Sequence, residues 1–487
     1  MILPEAKLYI DGVVRRAANQ KTYDSIGPWT GEPVGKAADA TADDVNVAIA
    51  AARRAFDSTD WSTNHALRFN LVKRLYELLL ANHDRMAMIC RHEGGSAMAA
   101  IQRAQVTMAM DCYKSLLDLF PQVRWSKDYG EAGPAQYRSH RKVVYEAIGV
   151  VGAITPWNVP LYVDVGKVVP ALLAGCTVIL KPAPNTPGIG ALFGELACEA
   201  GFPAGVLNVV TGADPVMAGE MLVTDPRVDL ISFTGSTAVG KRIMEKGAAT
   251  LKRVFLELGG KSAKIVLDDV PNFAQEIASS LLVFHAGQGC AVQSRLLVSR
   301  KRYAEAVEIL RQAYAAYGEK WGSFDDPSHL MGPVISKKQM ERVKSYIDLG
   351  VQEGATLLAG GKLRPDKGKG WFVEPTCFVD VTNDMRIARE EIFGPVLVVI
   401  RYEDEEDAIR IANDSDYGLS GGVSSGDLQH ALHIATRIRA GSISVNGGMC
   451  IAGDLPFGGY KASGVGREWG VEGIEEFLEG KVIAWRV

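Results

Sequence analysis

Apolar positions along the chain fall into short unbroken runs separated by stretches with helical spacing. Thr177-Val178-Ile179-Leu180, residues 206–210, Leu230-Ile231-Ser232-Phe233, residues 264–267 and Arg295–Ser299 read as buried strands. Between the first two, Thr186 is the expected N-cap, Pro187 the first helical position and Gly201 the stop before Pro203, with Gly212 turning the chain out of the returning strand. After Phe233 the chain turns at Gly235, and residues 238–246 predict a helix whose N-terminus offers free N–H groups suited to a diphosphate. A second block starts near Lys264, carries a predicted helix over 273–284, and recurs to about Gly459. Leu71, Leu75, Leu78 and Leu79 predict an amphipathic helix over 67–82 with no chemistry of its own. This alternation argues for an α/β architecture with largely parallel sheets. Residues 123–145 are different: polar and basic, with Arg124, Arg138, Arg141 and Lys142, they read as a loose loop or a surface hairpin.

A chain of 487 residues accommodates two or three cores. Its net charge of -4 gives no electrostatic reason to expect nucleic acid or an anionic membrane as partner. The N-terminal stretch carries Glu5 and lacks a basic segment followed by an apolar run, so it does not read as a secretory signal. The most apolar region, 150–180, contains Pro156, Pro160, Asp164, Lys167 and Pro170, which does not suit a helix in lipid. A cytoplasmic protein is expected. Seven scattered cysteines without a CxxC spacing imply neither a metal site nor a disulfide framework. His430 and His433 share a predicted helix face but have no third ligand nearby, so a solvated surface is expected there.

Chemistry concentrates in separated patches. Gly287-Gln288-Gly289-Cys290 places a cysteine directly after two turn-forming glycines, able to present a thiol and a backbone N–H to one cavity. The other six cysteines lack such a setting and read as packing residues. Pro156-Trp157-Asn158 offers an amide, which in isolation would be no more than a capping loop residue. Glu257, in Glu-Leu-Gly-Gly-Lys, follows the apolar run Val254-Phe255-Leu256, which argues against a solvated surface glutamate. Phe233-Thr234-Gly235-Ser236 precedes a GxxxxG spacing, Gly235 to Gly240, that alone is a poor dinucleotide fingerprint. Glu390-Glu391-Ile392-Phe393-Gly394-Pro395-Val396 and Pro456-Phe457-Gly458-Gly459-Tyr460-Lys461 complete the set.

Together and in this order, these patches resemble the aldehyde dehydrogenase superfamily. The resemblance implies two Rossmann-like open parallel-sheet domains plus a small β oligomerisation arm. Residues 1–124 and 147–258 would form the dinucleotide-binding domain, 259–462 the catalytic thiol domain, and 125–146 with 470–487 the arm, with 477–487 pairing with the basic segment. A homodimer or homotetramer follows from the resemblance, not from the residues.

By the same resemblance, Cys290 attacks the aldehyde carbon to give a thiohemiacetal, Asn158 and the Cys290 N–H hold the oxyanion, and Glu257 activates water on the thioester. Branches that pass the acyl group to coenzyme A generally lack this glutamate. Glu468 matches a second family glutamate that relays protons; an ion pair with a neighbouring arginine explains it equally well. The cofactor expected is NAD. Ser236 and the backbone of Thr234 and Gly235 would approach the diphosphate, with Phe233 and Val239 lining the crevice. Lys181 would meet the adenosine ribose, Glu391 the nicotinamide ribose, and Phe393 the ring. Ile154, Thr155, Pro156, Trp157, Ala183, Leu258 and Gly259 complete the expected cofactor site. Pro184 is a departure, because many NAD-preferring relatives carry a ribose-binding glutamate there, so NADP stays open.

Val159 and Gly166 stand where many relatives for small aldehydes carry aromatics, which implies a wider tunnel. Its other expected walls are Tyr162, Val163, Phe284, Met449, Ile451 and Phe457, mostly apolar and without a cationic clamp. A bulky hydrophobic aldehyde (terpenoid, aromatic or medium-chain) is expected; the alternative, an acidic semialdehyde, needs an arginine or lysine in the tunnel. Outside this class, the fold also serves non-catalytic structural proteins, for which loss of the thiol would be the mark, and the same cysteine can act as an esterase without cofactor.

Overall fold

The computed structural model describes residues 2–487, apart from the side chains of Gln102 and Arg103. Four sheets organise them. The first has eight strands, and its centre is parallel: Arg253–Glu257, Leu230–Thr234, Val150–Ile154, Thr177–Lys181 and Leu207–Val209 lie side by side in that order. Chain order runs from Val150–Ile154 outward to Leu207–Val209, then returns to the other side with Leu230–Thr234. The switch point therefore lies between Val150–Ile154 and Leu230–Thr234, where a crevice opens beyond the strands' carboxyl ends. Two short antiparallel strands, Leu8–Ile10 and Val13–Arg15, extend one edge, and Gly464–Val465 closes the other.

The second sheet has seven strands, with Ala263–Val266 flanked by Arg295–Ser299 and Ser420–Ser424 at its centre. All its pairs are parallel except the edge strand Thr356–Ala359. Ser126–Ala132, Ser139–Ala147 and Leu478–Arg486 form a separate antiparallel sheet, so the basic segment is a hairpin, joined by the C-terminal strand. Thr22–Gly27 pairs with Glu32–Ala38.

Helix Pro160–Ala174 is buried along its whole length between the first sheet and surrounding helices. Its apolar circumference explains the run over 150–180: it crosses a protein core. Helix Pro187–Ala200 starts after Thr186 and stops at left-handed Gly201, although the Thr186 hydroxyl makes no cap hydrogen bond. The leucine-rich helix spans His65–Ala81, with Val72, Leu75 and Leu79 buried beside Arg68, whose guanidinium donates to the carbonyls of Leu173, Trp61 and Ser62. The helix expected over 273–284 is shorter, Phe273–Ala278. Six residues further on, Phe284–Gly287 forms a tight turn with left-handed residues, through which an α-helix could not have continued.

Candidate active site

Register brings the site residues together. Ile154 pairs with Lys181 on one side and Phe233 on the other, and Thr234 pairs with Glu257. The carboxyl ends of four adjacent parallel strands thus deliver Lys181, Ile154, Thr234 and Glu257 along the rim of the switch-point crevice. Asn158 follows the second of these strands and is buried; its Nδ2 donates to the carbonyl of Gln288 at 3.1 Å, tying its loop to the thiol loop.

The thiol loop is shaped by three consecutive left-handed residues, His285 (φ 48°), Ala286 (φ 51°) and Gly287 (φ 66°). A Cβ on Gly287 would stand 2.2 Å from the Gly394 carbonyl oxygen, and one on Gly260 would stand 2.4 Å from that of Cys290. Glycine at both positions lets the Glu-Leu-Gly-Gly turn and the thiol loop touch. Cys290 is half-buried, and burial together with the charges of Glu257 and Glu391 holds its thiol well above the usual range. Burial and then the Glu468 charge push Glu257 up in turn, with Lys167 opposing. Glu257 Oε1 is buried without a hydrogen-bond partner among the described residues.

Glu468 takes Lys167 as its partner, 2.7 Å away and wholly buried, rather than a neighbouring arginine. Lys167 Nζ also lies 3.1 Å from Ser232 Oγ. Its signal in the sequence was a cation, one turn after Asp164, inside a predominantly apolar helix.

Cys290, Asn158 and Glu257 face one cavity of about 340 Å³, lined also by Pro156, Trp157, Thr234, Gly235, Ser236, Leu258, Gly259, Glu391 and Phe393. Val159, Tyr162, Val163 and Phe457 form part of its wall. Four residues expected in that wall lie outside it. Gly166 gives its space to Trp469, whose Cζ2 would be 2.9 Å from a Cβ there, so the missing side chain admits a core indole rather than widening the tunnel. Phe284 and Met449 are exposed, and Ile451 packs half-buried on the core of the first sheet, because the turn at 284–287 and the loop after Ser442–Val445 direct them away from the cavity. Gln339 and Arg342, on helix Lys337–Gln352, line the cavity without having been expected. Gln339 donates to the Phe393 carbonyl at 2.8 Å and Arg342 to that of Glu391 at 2.6 Å, which fixes the Glu391 to Phe393 loop. Arg342 is the one cation among the described residues of the lining.

The crevice suits a dinucleotide. Ser236 caps helix Thr237–Gly247, leaving first-turn amides free at the rim, and the Thr234 hydroxyl beside them is buried without a partner. Glu391 Oε1 accepts from the Gly260 amide at 2.9 Å, and Phe393 stands edge-on to Trp157 at 5.4 Å with a left-handed backbone (φ 59°). Lys181 is buried, which lowers its pKa to about 8. Ala183 and Pro184 follow it at the same strand end, and Val239 lies exposed on the capped helix.

Residues 15–483 match the model of the aldehyde dehydrogenase family. The chain belongs to this family. A 3-succinoylsemialdehyde-pyridine dehydrogenase of a Pseudomonas species is 41% identical over 98% of each chain. The aldehyde dehydrogenase fold is equally plain in solved structures. That of Mycobacterium tuberculosis, complexed with NAD+, superposes with a TM-score of 0.93 at 40% identity, covering 99% of this chain and 98% of its own. A mutant aldehyde dehydrogenase C of Pseudomonas syringae, complexed with NAD+ and octanal, gives 0.90 at 38% identity, covering 98% and 96%. No helix among the described residues is long and apolar enough to cross a membrane, and no three His, Cys, Asp or Glu residues among them cluster as metal ligands.

Proposed function

We propose that this aldehyde dehydrogenase oxidises a bulky hydrophobic aldehyde to its carboxylic acid by way of a thioester on Cys290. The observation that carries the reading is the convergence of a thiol, an amide donor and an elevated carboxyl on one cavity. Cys290 gives up its proton to solvent, and the thiolate attacks the aldehyde carbon. The oxygen, now negative, is held by Asn158 Nδ2 and the Cys290 N–H, a stabilisation of about 3–4 kcal/mol per preorganised donor. NAD, when bound, supplies the hydride acceptor; Ser236, Lys181, Glu391 and Phe393 would hold it. Glu257 then takes a proton from water, whose oxygen attacks the thioester; the C–S bond breaks, the acid leaves, and Glu257 passes the proton to the Cys290 sulfur, restoring the thiol. Glu257 also argues against transfer to coenzyme A.

The apolar wall supports a hydrophobic tail, and octanal in the Pseudomonas syringae relative agrees with a medium-chain substrate. An acidic semialdehyde is disfavoured, because Arg342 sits at the Glu391 end and is engaged there. The exposed apolar residues Val482, Ile483 and Trp485 of the C-terminal strand support a homodimer or homotetramer built through the arm. All seven cysteines are free, which fits a cytoplasmic setting. The test is the initial rate of nicotinamide reduction, with NAD and with NADP, on octanal, benzaldehyde, acetaldehyde and succinic semialdehyde. Higher kcat/KM for octanal or benzaldehyde is expected; preference for either of the other two overturns the substrate reading.

A further inference from the structure

We propose that Gln105 and His285 are positioning residues of the oxyanion site, locking the Asn158 loop to the thiol loop. The inference rests on the reading of Asn158 as an oxyanion donor. Gln105 ends a π-helical turn, Ile101–Gln105, a distortion that shifts side chains out of α-helical register and recurs at functional sites. It is buried, far in sequence from every residue of the site, and its Nε2 donates to the main-chain carbonyl of Asn158 at 2.7 Å. The same nitrogen lies 3.5 Å from His285 Nε2.

His285 is buried in a left-handed conformation that only a surrounding constraint maintains. Its carbonyl accepts from the Gln288 amide at 3.1 Å and from Gln288 Nε2 at 3.2 Å. Gln288 returns the connection, since its own carbonyl accepts from Asn158 Nδ2 at 3.1 Å while its Oε1 accepts from the Ile335 amide at 2.9 Å. Asn158, Gln105, His285 and Gln288 thus form a closed circuit. Burial lowers the His285 pKa to about 4, so the ring is neutral and keeps a nitrogen able to accept from Gln105. One Asn158 side-chain hydrogen is committed to Gln288, and the other is left to point at the developing oxyanion. Without Gln105 the Asn158 carbonyl loses its anchor and the amide its fixed aim.

Two reactions of Cys290 separate positioning of the oxyanion donor from general damage. With p-nitrophenyl acetate, the thiolate attacks the ester carbonyl through a tetrahedral oxyanion and expels p-nitrophenolate. With iodoacetamide, the thiolate displaces iodide and no oxyanion forms. Gln105→Ala and His285→Ala are each expected to slow acylation by roughly 10- to 100-fold, as a misplaced donor would. Alkylation should stay within about twofold of the parent, and Gln105→Asn, too short to reach, should behave as Gln105→Ala. Equal slowing of both reactions, or of neither, overturns the proposal. Should Gln105→Ala fail to fold, His285→Ala and Gln105→Asn decide by the same criterion. Asn158→Ala is the control: if it leaves acylation unchanged, the oxyanion reading itself fails, whereas slow acylation there with normal acylation in the Gln105 and His285 variants refutes only the circuit.

Discussion

Lys167 Nζ lies 2.7 Å from Glu468 Oε1, and neither side chain is reached by solvent to any useful extent. The pair joins the helix that begins beside Asn158 to the segment that bridges Phe457 with Glu468, and Lys167 is the positive charge that opposes the elevation of Glu257. Replacing Lys167 by Met strands a buried carboxylate, a loss of about 3–5 kcal/mol. Urea unfolding of Lys167→Met should show that loss, and Lys167→Met combined with Glu468→Leu should recover most of it. Recovery is expected because an apolar pair of similar volume replaces an ion pair at little net cost.

The pH dependence of turnover follows from the thiol and the carboxyl together. Both are held above their ordinary values by burial; the Glu257 charge raises the thiol further, and the Glu468 charge raises Glu257. Nucleophile and base are both active when deprotonated, so kcat should rise from neutral into alkaline pH. In Lys167→Met the opposing charge is gone, and the rising limb should move to higher pH. A profile already flat at pH 6 contradicts this electrostatic account.

Asp164, one turn before Lys167, is wholly buried with no hydrogen-bond partner among the described residues for either oxygen, although the Thr155 hydroxyl is nearby. Burial raises its pKa from 3.8 to about 7. The folded protein therefore keeps a proton that the unfolded chain releases, and stability falls as pH climbs between these values, by roughly 4 kcal/mol once both states are ionised. Asp164→Asn removes the dependence. Its unfolding midpoint should exceed that of the parent by more at pH 8 than at pH 5; an equal difference at both contradicts the assignment.

Pro184 sits just beyond Lys181 at the strand end where the adenosine ribose is expected. Pro184→Glu introduces a carboxylate that repels a ribose phosphate. The ratio of kcat/KM for NAD over NADP should rise about tenfold or more, read from initial rates with both cofactors.

Much of this was legible in the chain. The strands at Thr177–Lys181, Leu230–Thr234 and Arg295–Ser299 are buried on both faces, so they appear as unbroken apolar runs. Cys290, Asn158 and Glu257 carry flanking glycine, proline or apolar residues that mark a turn into a cleft. Residues recruited through tertiary contact left no such mark. Gln105 reaches Asn158 because a helix is locally underwound by an extra residue in its turn, and Arg342 reaches Glu391 across two segments 49 positions apart. Gly166 misled in the opposite direction: a missing side chain reads as open space, yet Trp469, distant in sequence, fills it.

The most direct measurement is the intact mass of Glu257→Gln after mixing with octanal and NAD, followed by peptide mapping. With the base for hydrolysis removed, the thioester should accumulate: one octanoyl group per chain, located on Cys290, with one equivalent of reduced nicotinamide formed in a burst and slow turnover afterwards. An unmodified Cys290 with undiminished turnover, or an acyl group on any other residue, would contradict the account.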